Sequence, residues 1–194
     1  DLHLSLRRQR QMCIRDSIAG AQFLAFDRVF ARDPIFELGR HPWPDRRTVA
    51  AHLLGVLGPA GNALSRVIFY DDGGMNFAAR AALCARWAGF TNAQILDGGL
   101  SAWARCGLPL DEGAPVAADH PAVERVNDFL RQTIAGAVPQ MLGKAAFFNA
   151  VKQDDRLVID GRPRERFAGR TETLDARPGH CLLYTSPSPR DVEE

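Results

Sequence analysis

The chain has 194 residues, 46% of them hydrophobic and 24% charged, which suits one or two globular domains. Its formal net charge is only +1, with no basic block in the interior, so bulk attraction to nucleic acid or to an anionic membrane is not indicated. Charges interrupt each apolar stretch before it reaches a membrane span, and four scattered cysteines (Cys13, Cys84, Cys106, Cys181) form no CxxC pair and have no histidine at ligand spacing.

That cysteine usage argues against a zinc site or a disulfide framework, and free thiols suit a reducing compartment, with cytoplasm the default. In chain order, the first segment looks foreign. Arg7-Arg8-Gln9-Arg10-Gln11-Met12-Cys13-Ile14-Arg15-Asp16-Ser17 can be encoded by one frame of a transposase-based sequencing adapter. Cys181-Leu182-Leu183-Tyr184-Thr185-Ser186 can be encoded on the reverse complement of the same adapter core, and Pro187-Ser188-Pro189-Arg190-Asp191 by the opposite arm. Residues 1–17 and 181–194 are therefore expected to be non-native. The alternative is a basic arm and a polar, Pro-rich tail.

Between these ends, residues 21–26 alternate like a short strand, and a Pro-punctuated loop covers 32–45. Residues 47–57 place Val49, Leu53, Leu54 and Leu57 at helical spacing, with Thr48 as a cap and Gly58-Pro59 as a stop. Val67-Ile68-Phe69-Tyr70 is a β-rich apolar run of buried-strand type. A polar loop of Asp71-Asp72-Gly73-Gly74 leads into a helix over 76–88. A strand over 93–96, a turn at Asp97-Gly98-Gly99 and a helix over 100–105 follow. Strands and helices alternating at this spacing indicate an α/β domain with a mainly parallel sheet. Residues 111–121, rich in Ala, Pro, Gly and acid, suit a linker. A second α/β unit is expected from about residue 122, with a helix over 144–152 and a strand over 156–160 that runs into Gly161-Arg162-Pro163.

The loop between the 67–70 strand and the 76–88 helix is where chemistry would be expected. A strand-to-helix loop concentrates backbone N–H groups and, with the helix dipole, makes a cradle for an anion. A cysteine there would be a low-pKa nucleophile. Here the first loop residue is Asp71, which can accept those N–H bonds but cannot form a persulfide. A helix-entry acid that stabilises the loop is the favoured role over a catalytic one.

These segments carry a family resemblance. Ile18-Ala19-Gly20-Ala21, Gly39-Arg40-His41-Pro42, Tyr70-Asp71 and Leu96-Asp97-Gly98-Gly99-Leu100-Ser101-Ala102-Trp103 resemble the N-terminal domain of two-domain rhodanese-like sulfurtransferases, the thiosulfate and 3-mercaptopyruvate sulfurtransferase family. Ala19 replaces the usual proline. The resemblance implies an α/β, rhodanese-like fold whose mainly parallel sheet is flanked by helices. It also implies a non-catalytic domain over 18–110, truncated at its start, with Asp71 where the catalytic domain has its cysteine.

Asp160-Gly161-Arg162-Pro163-Arg164-Glu165-Arg166-Phe167-Ala168-Gly169 resembles the entry to the catalytic domain, with Gly161 in place of alanine. That domain is expected over 122–180, with its nucleophilic cysteine beyond the chain. By resemblance, Arg166 binds the substrate anion, since a guanidinium offers a fixed fork of donors. Arg177 is the candidate for a second such arginine, although Glu172-Thr173-Leu174-Asp175-Ala176-Arg177 departs from the family's P-E-P segment. Read from the residues alone, Arg166 is a strand-end arginine paired with Asp160 or Glu165.

Other residues have bland readings. Cys84 lies among Ala81, Ala82, Leu83 and Trp87, where a buried thiol is ordinary. Cys106 lies at a helix C-terminus, which raises rather than lowers thiol pKa. His3, His41, His52, His120 and His180 form no visible triad, although His41 is a candidate for an interdomain surface. Trp43, Trp87 and Trp103 suit core or interface roles.

The resemblance thus implies transfer of sulfane sulfur from a small anionic donor, thiosulfate or 3-mercaptopyruvate, to a thiol or cyanide acceptor through a Cys persulfide. It implies no metal and no organic cofactor, no nucleic-acid partner and no membrane. The chain as given is expected to be inactive. The rival readings are a non-catalytic rhodanese-like binding or regulatory module, and a phosphatase on the same scaffold, which would also need a cysteine in that loop.

Overall fold

Apolar side chains at helical spacing, with short β-rich runs between them, set the arrangement of the first unit. The computed structural model describes residues 16–33, 41–112, 120–133, 142–152, 158–173 and 178–179. The chain divides into two compact units, residues 1–139 and 140–194.

In the first unit the described elements are β1 (Asp16–Ile18), α1 (Phe26–Val29), α2 (Arg46–Leu57), β2 (Val67–Phe69), α3 (Asn76–Ala88), β3 (Ala93–Ile95), α4 (Gly99–Arg105), β4 (Leu110–Glu112) and α5 (Val123–Gln132). β2 and β3 pair in parallel, Val67 opposite Ala93 and Phe69 opposite Ile95. β1 and β4 pair antiparallel, Asp16 opposite Glu112 and Ile18 opposite Leu110. The described strands thus form one parallel and one antiparallel pair, which with the helices make the expected α/β arrangement.

The core lies between the helices and β2–β3. Val49, Leu53 and Leu54 of α2 meet Ala81, Cys84, Ala85 and Ala88 of α3, with Phe90 and Ala93 behind them. Alanine at the inward positions of α3 lets the two helices lie close. Fully burying one Leu, Val or Phe contributes about 1.5–3 kcal/mol relative to leaving it exposed, so this cluster dominates the unit's stability.

Three local expectations are corrected. The 21–26 segment is not a strand: β1 precedes it, and the backbone N–H groups of Arg28 and Val29 turn back onto the Ala25 carbonyl to open α1. The cap of α2 is Asp45, whose carboxylate accepts from the Arg47 N–H at 3.0 Å, not Thr48. Asp111 and Glu112, expected in the linker, form β4. Their partners across that strand pair are Ser17 and Asp16.

The largest difference concerns residues 122–132, which were expected to open the second unit. Of these, Val123–Gln132 form α5, which lies within the first unit. Val126 and Phe129 are buried, and the Phe129 ring stacks on Phe90 with centroids 4.6 Å apart. Arg125 donates to the carbonyls of Gly58 and Gly61, both at 2.6 Å, closing the C-terminal end of α2. Gly55 permits this contact, because a Cβ there would collide with the backbone carbonyl of His120.

In the second unit the described helices are α6 (Lys144–Lys152) and α7 (Arg164–Phe167). Residues 158–160 carry no strand, and 153–157 lie outside the described residues. So do residues 1–15 and 180–194.

Candidate functional site

β2 ends at Phe69, and the chain enters a loop that must reverse before α3 begins. Asp71 organises that reversal. Its Oδ1 accepts from the backbone N–H groups of Gly73 at 3.0 Å and Met75 at 2.9 Å. Its Oδ2 accepts from those of Phe77 at 3.2 Å and Ala78 at 3.1 Å. The first N–H groups of a helix have no intrahelical partner, and here one carboxylate takes two of them together with two loop donors. Met75, at the N-cap of α3, adopts φ 59°, the one non-glycine among the described residues in the left-handed region.

Partial burial opposes ionisation of Asp71, but its four backbone hydrogen bonds outweigh that effect and hold the carboxyl below the usual carboxylate range. It is consequently a weak base and a saturated acceptor.

The Asp97-Gly98-Gly99 turn forms the floor of the loop. Gly99 has φ 56°, and a Cβ on it would lie 2.5 Å from the Asp71 carbonyl oxygen. That oxygen accepts from the Leu100 N–H at 2.8 Å, while the Ser101 hydroxyl donates to the Asp72 carbonyl. Further along α4, the Trp103 indole N–H donates to the Pro109 carbonyl at 2.9 Å and ties the helix to the segment that leads into β4. The segment singled out in the sequence therefore supports the cradle physically.

Arg80, which sequence reasoning passed over, ties α3 to the neighbouring loop. Its guanidinium donates to the carbonyls of Phe30 (2.9 Å), His41 (2.7 Å) and Pro42 (2.9 Å) and lies over the rings of Phe26 and Trp43. An arginine amid the alanines of 76–88 was the available signal. His41 approaches the exposed Asp27 carboxylate at 3.9 Å. Gly39 and Arg40 lie outside the described residues. An open cleft of about 510 Å³, lined in part by Asp27, Arg32, Asp45 and His52, does not include Asp71.

Neither described cysteine joins the cradle. Cys84 is buried in α3, and that burial pushes its thiol up to about 11 against the opposing field of Arg80. Cys106 is exposed at the C-terminal end of α4. Cys13 and Cys181 lie outside the described residues. Among the described residues no three His, Cys, Asp or Glu side chains are placed to hold a metal ion, and no helix is long and apolar enough to cross a membrane.

The second unit places Arg166 in α7, not at a strand end. Its Nε donates to Glu172 Oε2 at 3.2 Å, and its Nη2 reaches Oε1 at 2.9 Å and Oε2 at 3.0 Å. The pair is largely buried, the side chains 18% and 5% exposed. The expected partners are engaged otherwise: Asp160 binds Arg162, and Glu165 lies 3.5 Å from Arg170. After α7, Gly169 takes φ 73° and the chain turns back, so that Glu172 rather than Glu165 meets Arg166. Arg162, also missed, bridges Asp160 to the Gly179 carbonyl. Arg177 lies outside the described residues.

Comparison with known proteins agrees with this architecture. The sequence pattern of the rhodanese-like domain matches residues 17–106. A Pseudomonas aeruginosa protein named as a probable 3-mercaptopyruvate sulfurtransferase is 33% identical over 87% of this chain and 57% of its own length. An Escherichia coli 3-mercaptopyruvate sulfurtransferase is 32% identical over 71% of this chain and 43% of its own length. A Mycobacterium tuberculosis protein provisionally named a thiosulfate sulfurtransferase is 28% identical over 86% of this chain and 55% of its own length. The chain thus spans roughly half the length of these relatives.

Proposed function

Residues 17–106 of this chain belong to the rhodanese-like domain family, and from that premise we propose that the chain carries the silent domain and the first part of the catalytic domain of a sulfurtransferase. The observation that carries this reading is the Asp71 carboxylate, which fills with four hydrogen bonds the cradle where a nucleophilic thiolate would otherwise sit.

The reaction proposed for the whole protein uses a cysteine outside these 194 residues. Its thiolate attacks the sulfane sulfur of the donor. The S–S bond of thiosulfate, or the C–S bond of 3-mercaptopyruvate, breaks as a persulfide forms. The leaving group departs as sulfite in the first case and as the pyruvate enolate in the second, which then takes up a proton. Attack by a thiolate or cyanide on the outer sulfur returns the cysteine thiolate and gives a new persulfide or thiocyanate.

Arg166 binds the sulfonate-like or carboxylate end of the donor, with Arg177 as the second candidate. No metal or organic cofactor takes part, and the protein works in the cytoplasm. A second reading, a non-catalytic binding module, draws on the same Asp71 observation.

Intact source DNA extended beyond both ends of this sequence supplies the test. The whole protein should convert thiosulfate or 3-mercaptopyruvate and cyanide to thiocyanate, whereas the 194-residue chain should not. Asp71→Ala should leave turnover nearly intact. Arg166→Ala should lower kcat/KM about ten- to a hundredfold, since hydrogen bonds to charged groups contribute roughly 1.5–3 kcal/mol. An active whole protein that Asp71→Ala silences while Arg166→Ala changes nothing would reverse the two roles. A whole protein without activity toward any sulfane donor would favour the binding module.

A further inference from the structure

Arginine carries a long side chain with several free rotations, so an arginine that must meet an anion in one plane needs an anchor besides its backbone. For Arg166 that anchor is Glu172. One edge of its guanidinium, Nε and Nη2, makes three hydrogen bonds of 2.9–3.2 Å to both oxygens of Glu172. The Glu172 side chain is only 5% exposed, so water offers it little alternative solvation. Bidentate contact along one edge fixes the plane of a guanidinium as well as its position. Asp160 pairs with Arg162, and Glu165 lies 3.5 Å from Arg170.

Building on the proposed role of Arg166 in donor binding, we propose that Glu172 is a positioning residue: its buried carboxylate clamps one edge of Arg166 and presents the guanidinium to the anionic sulfur donor. Charge and orientation predict opposite signs here, which makes the proposal testable. A carboxylate beside an arginine weakens its attraction for an anion. If charge alone mattered, removing it would tighten donor binding. If orientation matters more, removing it loosens donor binding although the site becomes more positive. Glutamine is a poor substitute because its amide nitrogen would face guanidinium donors.

The whole protein, assayed for thiocyanate formation with varied 3-mercaptopyruvate and then varied thiosulfate, provides the readout. Glu172→Gln should raise the donor KM about tenfold and leave kcat within about twofold, the pattern of lost binding rather than lost chemistry. Glu172→Asp, which keeps a carboxylate, should recover part of that loss. In an Arg166→Ala background, Glu172→Ala should add nothing, because residues that act through one another are non-additive. An unchanged or lowered KM in Glu172→Gln, or a KM increase that persists in the Arg166→Ala background, overturns the proposal while leaving the Arg166 assignment standing. No effect of Arg166→Ala by itself overturns that assignment first, and the positioning role with it. Removing one partner of a buried pair can also unfold a protein. If Glu172→Gln does not fold, Arg166→Met is compared with the Arg166→Met/Glu172→Met double variant: equal donor KM supports the proposal, and different values overturn it.

Discussion

At the scale of single residues, Asp71 shows how one carboxylate can hold a strand-to-helix loop together. Removing the carboxylate leaves its four backbone N–H partners without that acceptor. Asp71→Ala in the 194-residue chain should therefore lower the unfolding free energy by about 1–2 kcal/mol, the usual range for losing a helix-capping acid, as read by urea denaturation. The pH dependence has a definite sign. The folded-state pKa lies below the unfolded value of about 3.9, so the Asp71 contribution is present in full above that value. It is lost as pH falls through the folded pKa. Acid titrations of stability should be flatter in Asp71→Ala than in the parent. The two described thiols make a second contrast. Cys84, buried and held near 11, should resist iodoacetamide at pH 8 in the native chain, whereas exposed Cys106 should be labelled, as peptide mapping by mass spectrometry would report. Labelling of Cys84 at the rate of Cys106 would mean that α3 does not bury it.

At the scale of elements, α5 decides where the first unit ends. It buries Val126 and Phe129 against the α2–α3 core and seals the end of α2 through Arg125. Phe129→Ala should therefore destabilise the first unit by about 3–5 kcal/mol, the range for emptying a buried aromatic site. Gly55→Ala should also destabilise it, since the added methyl would displace the His120 backbone that leads into α5. Differential scanning calorimetry on both variants checks this. An unchanged transition in Phe129→Ala would return residues 123–132 to the second unit. The loop at Asp71 depends in the same way on α4, because the Gly98-Gly99 turn brings Leu100 and Ser101 onto the carbonyls of Asp71 and Asp72.

At the scale of the whole molecule, the balance of apolar exposure and charge sets solution behaviour. Ile68 of β2 is 54% exposed and Leu64, shortly before β2, 75%, while the net charge is +1 and the isoelectric point about 7.9. With little net repulsion near that pH, exposed apolar surface favours association. Light scattering of the 194-residue chain should show most self-association near pH 8, and Ile68→Thr should reduce it. A monodisperse chain across that range would show that the exposed β2 surface is not adhesive.

The residues that report locally were legible in the sequence. Helix spacing at Val49, Leu53 and Leu54 located α2, and the β-rich run at Val67 located β2. The DGG turn with its tryptophan carried the family resemblance, and Asp71 marked the strand-to-helix loop whose backbone donors it accepts. Each of these signals arises from short-range chemistry: side-chain periodicity, backbone conformations open to glycine, and unpaired donors at a helix start. What the tertiary structure decided are partnerships between segments distant in sequence or reversed by a turn. Asp111 and Glu112 became a strand only because Asp16 and Ser17 lie beside them, and residues 123–132 joined the first unit because Phe90 and Gly55 had left room for them. Arg166 chose Glu172 over Asp160 and Glu165 because the turn after α7 brought that carboxylate within reach of its guanidinium. Charge and spacing alone make all three acids plausible partners, and only their positions in space separate them.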